Sequence, residues 1–271
     1  MKMYKGFNND MTCRGFQYEE GKEYKENEAN LCAKGFHACE NPVDCLGYYA
    51  PSNSVYREVE LNEISEETSS DSKRVGKKIK IGAEIDIANM VKIAFDFVKS
   101  NCTNDKSDKS GGDRSALNGG NYSALNGGHK SALRGGYRSA LNGGNYSALN
   151  GGDWSALNGG YYSALNGGDS SALNGGNYSA LNGGYRSALN GGDRSALNGG
   201  DRSALNGGNC SVVYGGEGAK VKGGKKSVLA LQYWRNDEFV KIAFTEVDGE
   251  KIKEDTWYKL DENGEFTEVE E

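Results

Sequence analysis

The sequence predicts a mainly β protein, a β-solenoid of eight-residue repeats between a small α+β head and a β cap. Three observations carry this prediction. Gly-Gly recurs every eight residues from Gly111-Gly112 to Gly223-Gly224, with Ser in phase from Ser115 to Ser211 and Leu from Leu117 to Leu205. The 271 residues include 40 Gly and only 2 Pro, which excludes collagen, where Gly fills every third position and Pro abounds. Apolar residues make up 36% of the chain, so the core must be thin and repetitive. A strict period decides architecture before any local assignment.

Residues 1–76 read as the head. Asn41-Pro42 opens a short helix with Pro in its first turn. "SVYREVELN" reads as a strand and "ISEETSSDSKR" as a charged loop. Residues 77–110 read as a strand–helix plug and a joint. "KKIKIGAEI" alternates Ile79, Ile81, Ala83 and Ile85 against lysines, the period of a strand. Asp86 stands where a helix N-cap belongs, and Ile87, Met90, Val91, Ala94, Phe97 and Val98 follow on one helical face. This strand and helix are expected to plug the N-terminal end of the solenoid, with "SNCTNDKSDKS" as a polar joint.

Residues 111–226 form the solenoid. Eight residues suit one short strand and one tight turn. Successive strand side chains alternate between faces, so Leu and the Ser two places before it share the inside, and Ala and the second variable residue point out. Asn-Gly-Gly is expected to make the turn through positive φ. Invariant positions are those that stack on their own copies in neighbouring coils. The two variable positions of each repeat are the ones free to differ. The in-phase Leu ladder argues against a flexible linker. The preferred reading, a 16-residue coil of two repeats, places Arg114, Lys130, Tyr146, Tyr162, Tyr178 and Arg194 in one column. A 24-residue coil of three repeats would instead stack Tyr137, Tyr161 and Tyr185. With two repeats per coil the solenoid would be ~35 Å long. Residues 227–271 read as an acidic cap whose strands are "SVLALQYW", "EFVKIAFTEV" and "TWYKL", with turns at "VDGEK" and "DENGE".

Charge is unevenly spread. Residues 111–226 carry 11 basic and 6 acidic groups, residues 227–271 carry 5 and 13. No apolar run approaches the ~18 residues of a membrane span. The N-terminal stretch lacks the apolar core of a signal peptide, so a cytoplasmic location and six free thiols are expected.

Catalysis needs convergent reactive groups, and the chain offers few. His37 and His129 are its only histidines. His129 occupies a variable repeat position. Cys32, His37, Cys39 and Cys45 are considered as zinc ligands, but their spacing matches no paired Cys-x-x-Cys pattern, and packed thiols with a hydrogen-bonded His are the favoured reading. A Cys–His nucleophile pair would need a third orienting group. The Gly-Gly pairs match no phosphate-binding loop and no calcium-binding nonapeptide. No cofactor, no metal and no enzymatic activity are therefore expected.

Binding remains. Tyr122, Arg138, Tyr146, Trp154, Tyr161, Tyr162, Tyr178, Arg186, Arg194 and Arg202 are expected to project from the solenoid. Tyr, Trp and Arg dominate interface hot spots. The competing role for the same residues is cross-strand stacking within the coil. The modest positive charge of the repeats argues against nucleic acid as the partner.

The flanking segments "KGFNNDMTCRGFQYEEGKEY", "LCAKGFHACENPVDCLGYYAP", "SVYREVEL", "KKIKIGAEI" and "VDGEKIKEDTWYKL" resemble a family of phage and prophage proteins from Gram-positive gut bacteria. In that family octapeptide repeats, often of Ala-Ala-Thr-Ala-Gly type, lie between the same two flanks. The present repeats depart from it in using Ser-Ala-Leu-Asn-Gly-Gly with a bulkier inner Leu. The repeat is also distantly similar to ice-nucleation solenoids but lacks their Thr rows. The resemblance implies a phage or prophage origin and a solenoid between caps, and it implies no activity. The expectation is a non-enzymatic protein binding a host protein, such as a nuclease or other defence effector. The alternatives are a self-associating virion or fibre component and an enzyme using the Cys/His head.

Overall fold

The computed structural model describes every residue except 32, 68, 70, 101–107 and 270–271, and the backbone alone of 88, 99 and 108. Cys32 and most of the expected joint fall outside the described residues.

The repeats form a β-solenoid. Each strand pairs in parallel with the one two repeats on: Ala124 with Ala140 and Leu125 with Leu141 in one sheet, Ala132 with Ala148 in the other. A coil is thus two repeats, and the three-repeat alternative is excluded. Solenoid strands run from Asp108–Ser110 to Lys220–Lys222 in the first sheet and from Ala116–Asn118 to Val228–Arg235 in the second. Between them lies the expected core, with the leucines from Leu125 to Leu205 at most 2% exposed. The buried Ser beside each Leu is satisfied by neighbouring coils. Ser163 N–H donates to Ser179 Oγ at 3.3 Å, and Ser179 Oγ donates to Gly160 O at 3.2 Å. A hydroxyl so placed both accepts from and donates to the preceding coil, which alanine cannot do.

The turn departs from expectation. Positive φ falls on the second variable residue, such as Tyr146 at 59° and Trp154 at 60°, and not on the paired glycines. The glycines are needed for close approach. A Cβ on Gly151 would stand 2.7 Å from Ser155 Cβ, and one on Gly152 would stand 2.9 Å from the backbone of Gly136 and Tyr137 one coil away. The variable positions are accordingly not free. The second must tolerate the left-handed region, and no β-branched residue occupies it between Arg114 and Lys226. The first is often Asn or Asp, because its Oδ1 accepts the amide of the same position one coil on: Asn145 from Tyr161 at 3.0 Å, Asp153 from Asp169 at 3.0 Å.

In the head, the strand Lys2–Asn8 pairs with Phe36–Cys39 on one side and Ser54–Ile64 on the other. The strand Lys73–Glu84 pairs with both of those and closes a four-stranded ring. Met3, Phe7, Phe36, Leu61, Ile79 and Ile81 fill it. The predicted 77–85 strand therefore belongs to the head and continues across the 76/77 boundary. The helix Ile87–Ser100 does begin at Asp86, whose Oδ1 accepts Asn89 N–H at 2.7 Å. It does not plug the solenoid end. It lies along one sheet, pressing Met90, Val91, Ala94 and Val98 onto the alanine column Ala124, Ala140, Ala156, Ala172 and Ala188. Fourteen residues span about 21 Å, which crosses five strands at ~4.8 Å spacing. Small Ala side chains let the helix approach. The other sheet is left open.

At the C-terminal end both sheets turn antiparallel. Glu238–Glu246 pairs with Val228–Arg235, and Tyr258–Leu260 pairs with Lys220–Lys222. Buried Tyr258 closes the core there. Among the described residues no helix is long and apolar enough to cross a membrane.

Candidate functional site

The ten residues expected to project divide between two corners of the coil. Those preceding the covered sheet are Tyr122, Arg138, Trp154, Arg186 and Arg202, and the head sits on the middle of this corner. The short 3-10 helix Pro42–Gly47, capped by Asn41 Oδ1 on Val43 N–H at 3.3 Å, positions the contact. Arg138 Nη1 donates to Asp44 Oδ2 at 3.0 Å, and Arg186 Nη1 to Gly47 O at 2.7 Å. Trp154 packs so tightly on Gly47 that a Cβ there would stand 1.9 Å from the indole. The Arg138 guanidinium also lies 5.4 Å from the Trp154 ring centre. Arg138, Trp154 and Arg186 are thus spent inside the molecule, contrary to expectation. Periodicity placed them outside the coil but could not place the head over them. Tyr122 and Arg202, at the two ends of this corner, remain exposed.

The other corner precedes the open sheet and carries Tyr146, Tyr162, Tyr178 and Arg194, with Tyr161 one position before Tyr162. The column predicted from coils of two repeats is present. Tyr146 and Tyr162 stack with ring centres 5.0 Å apart, Tyr162 and Tyr178 at 4.7 Å, with interplanar angles of 10° and 12°. Lys130 lies over Tyr146 at 5.8 Å and Arg194 over Tyr178 at 5.4 Å. Both faces of Tyr162 are therefore covered, and the ladder offers solvent its ring edges and hydroxyls. That geometry suits cross-strand stacking and hydrogen bonding, and it leaves no face on which a base could stack.

Beside the ladder lies the open sheet. Its outward positions form an exposed alanine column from Ala132 to Ala196 and an Asn column in which Asn198 Nδ2 donates to Asn182 Oδ1 at 2.9 Å and Asn182 Nδ2 to Asn166 Oδ1 at 2.8 Å. Toward the C-terminus the alanine column becomes Val212 and Val228. The register then sets Phe244 beside Ala230 and Ile242 beside Gln232. Phe244 is 76% exposed, and Phe239, Val240 and Ile242 are about half exposed. The sequence reading missed this patch. "EFVKIAFTEV" is apolar on both faces, which suggests a buried strand, but Glu238–Glu246 ends its sheet.

Cys13, Cys39 and Cys45 of the head are packed. Cys45 Sγ donates to Tyr4 O at 3.5 Å, and Tyr49 hydroxyl to Cys13 Sγ at 2.8 Å. The Cys39 thiol is pushed well above the ordinary range by its hydrogen bond to Cys45 and by burial, which disfavours the nucleophilic thiolate. Burial, helped by Lys5, Arg14 and Lys73, depresses His37 to about 4. Among the described residues no three His, Cys, Asp or Glu side chains converge as a metal site.

A sequence family described as a domain of unknown function (DUF7666) matches residues 1–93, the head and the first half of the helix. Neither the curated proteins nor the solved structures gave a match.

Proposed function

We propose that the protein is a non-enzymatic scaffold that binds a host protein through the open sheet and its apolar C-terminal edge. The asymmetry of the solenoid carries this reading. One sheet is covered along five strands by the chain's own helix, while the other stays bare and ends in Val212, Val228, Ile242 and Phe244. Apolar patches rimmed by polar residues mark interaction sites. The finer reading is an inhibitor of a bacterial defence nuclease or effector. It draws on the resemblance of the flanks to phage and prophage proteins, and on the acidic segment 227–271, which offers a charge like that of nucleic acid.

The test is purification of the tagged protein from a Gram-positive host with intact defence systems, beside an Ile242→Asp/Phe244→Asp variant. A stoichiometric host subunit that the variant loses supports the scaffold, and its identity as a nuclease or effector supports the inhibitor. A partner retained by the variant overturns the proposed surface.

The same edge strand favours a second reading, self-association. An unpaired apolar edge is a template for another strand, so a second copy can add to Glu238–Glu246. Light scattering that shows concentration-dependent assemblies, abolished by the same variant, would put this reading first.

A further inference from the structure

Apart from the solenoid surfaces, the head contains a half-open cavity of about 460 Å³. Its size falls within the usual range for small-molecule sites. Lys5, Arg14, Lys25, Lys34 and Lys73 line it, against one carboxylate, Glu26. Lys25 and Lys34 pair outward with Glu23 at 3.6 Å and Glu28 at 3.2 Å. Lys5 is different. It is only 7% exposed, and it donates to the carbonyl of His37 at 3.1 Å. Among the described residues neither Lys5 nor Arg14 makes an ion pair. The Lys5 ammonium also lies 5.4 Å from the Phe7 ring centre, and with no carboxylate beside it, it keeps donors for an anion. His37 on the same wall is depressed first by burial, and Lys5, Arg14 and Lys73 add to that effect.

The other wall is aromatic. Phe16, Tyr18 and Tyr24 pack edge to face, with centres 4.8–5.4 Å apart, and Tyr48 and Tyr49 join the lining from the segment after Gly47. Phe16 and Tyr48 are about half exposed. A two-residue turn, Arg14-Gly15, with φ of 51° and 78°, joins the paired residues Cys13 and Phe16. This hairpin therefore brings a guanidinium and an open ring to one rim together. A lone phosphate would satisfy the cations and leave the aromatic wall bare, and a neutral ring would do the reverse.

We propose that this cavity binds a nucleoside phosphate, with its phosphates against Lys5 and Arg14 and its base against the Phe16 and tyrosine wall.

The experiment is calorimetric titration of the full chain with ADP, GDP, CDP and UDP, and with pyrophosphate and the matching nucleosides as partial probes. At least one diphosphate should bind, and pyrophosphate and its nucleoside should each bind at least tenfold more weakly. Arg14→Gln, at an exposed turn, should weaken the diphosphate about tenfold and leave the nucleoside unchanged. Lys5→Met should weaken the diphosphate at least as much. No binding of any of the four at millimolar concentration overturns the proposal. So does a diphosphate affinity that Arg14→Gln does not alter, and pyrophosphate binding as tightly as the best diphosphate overturns the role of the base.

Discussion

Replacing Arg138 with Met should release the head from the solenoid. The Asp44 side chain is 0% exposed and Arg138 is 10% exposed, with Nη1 and Oδ2 3.0 Å apart. Asp44 Oδ2 also accepts Ser72 N–H at 3.0 Å and Ser72 hydroxyl at 2.6 Å, while its Oδ1 has no hydrogen-bond partner. Without Arg138, a buried carboxylate keeps only the two Ser72 donors. At this separation the attraction is about 5.5 kcal/mol for an effective dielectric of 20, and removal of one partner of a buried pair typically destabilises by ~3–5 kcal/mol. Much of that is the uncompensated charge. Asp44→Asn combined with Arg138→Met should therefore lose less than Arg138→Met alone. Guanidinium unfolding followed by tryptophan fluorescence reads the effect, because Trp154 is wedged against Gly47 at the same contact. An Arg138→Met protein within about 0.5 kcal/mol of wild type, the range of an ordinary surface change, would refute the reasoning. So would a double variant whose loss equals the sum of the two single losses.

Further expectations concern the coil and the head. Gly152→Ala should destabilise by roughly 1–3 kcal/mol, because its Cβ meets immovable backbone one coil away; thermal unfolding measures it. At Tyr162, with φ of 56°, the usual order should invert: Tyr162→Gly should unfold at a higher temperature than Tyr162→Ala, since both lose the stack but only Gly relieves a left-handed conformation costing ~1–2 kcal/mol. Gly47→Ala should undock the head by displacing Trp154, raising protease sensitivity in the 42–47 segment. His37 is held at about 4 against 6.5 in the unfolded chain. Its contribution is thus full above 6.5 and is lost as pH falls toward 4, where the unfolded state takes the proton first. Acid unfolding curves of His37→Gln should be flatter than wild type across that window.

Much of the solenoid was legible because stacking repeats each constraint many times. Leu and Ser at fixed phase named the inside of the coil, and the column from Lys130 to Arg194 followed from the choice of two repeats per coil. The reason for the glycines was not legible. Gly-Gly beside Asn signals a positive-φ turn, whereas the actual requirement is contact between a glycine and the backbone one coil away. The absence of β-branched residues at the second variable position was the available clue. In the head, Asn41-Pro42 and Asp86 announced their helices through local capping chemistry. The destination of the helix was not local. Its apolar face fits a solenoid end or a solenoid side equally well.

The sequence by itself therefore determined the period, the inward residues and the helix boundaries, because each depends on neighbours in the chain or on identical neighbours one coil away. Only the tertiary structure decided which sheet the helix covers, that Arg138, Trp154 and Arg186 pack against the head, and that Ile242 and Phe244 lie open at an edge. These depend on contacts between segments far apart in the chain, and identical repeats carry no mark of which copy a distant segment will meet.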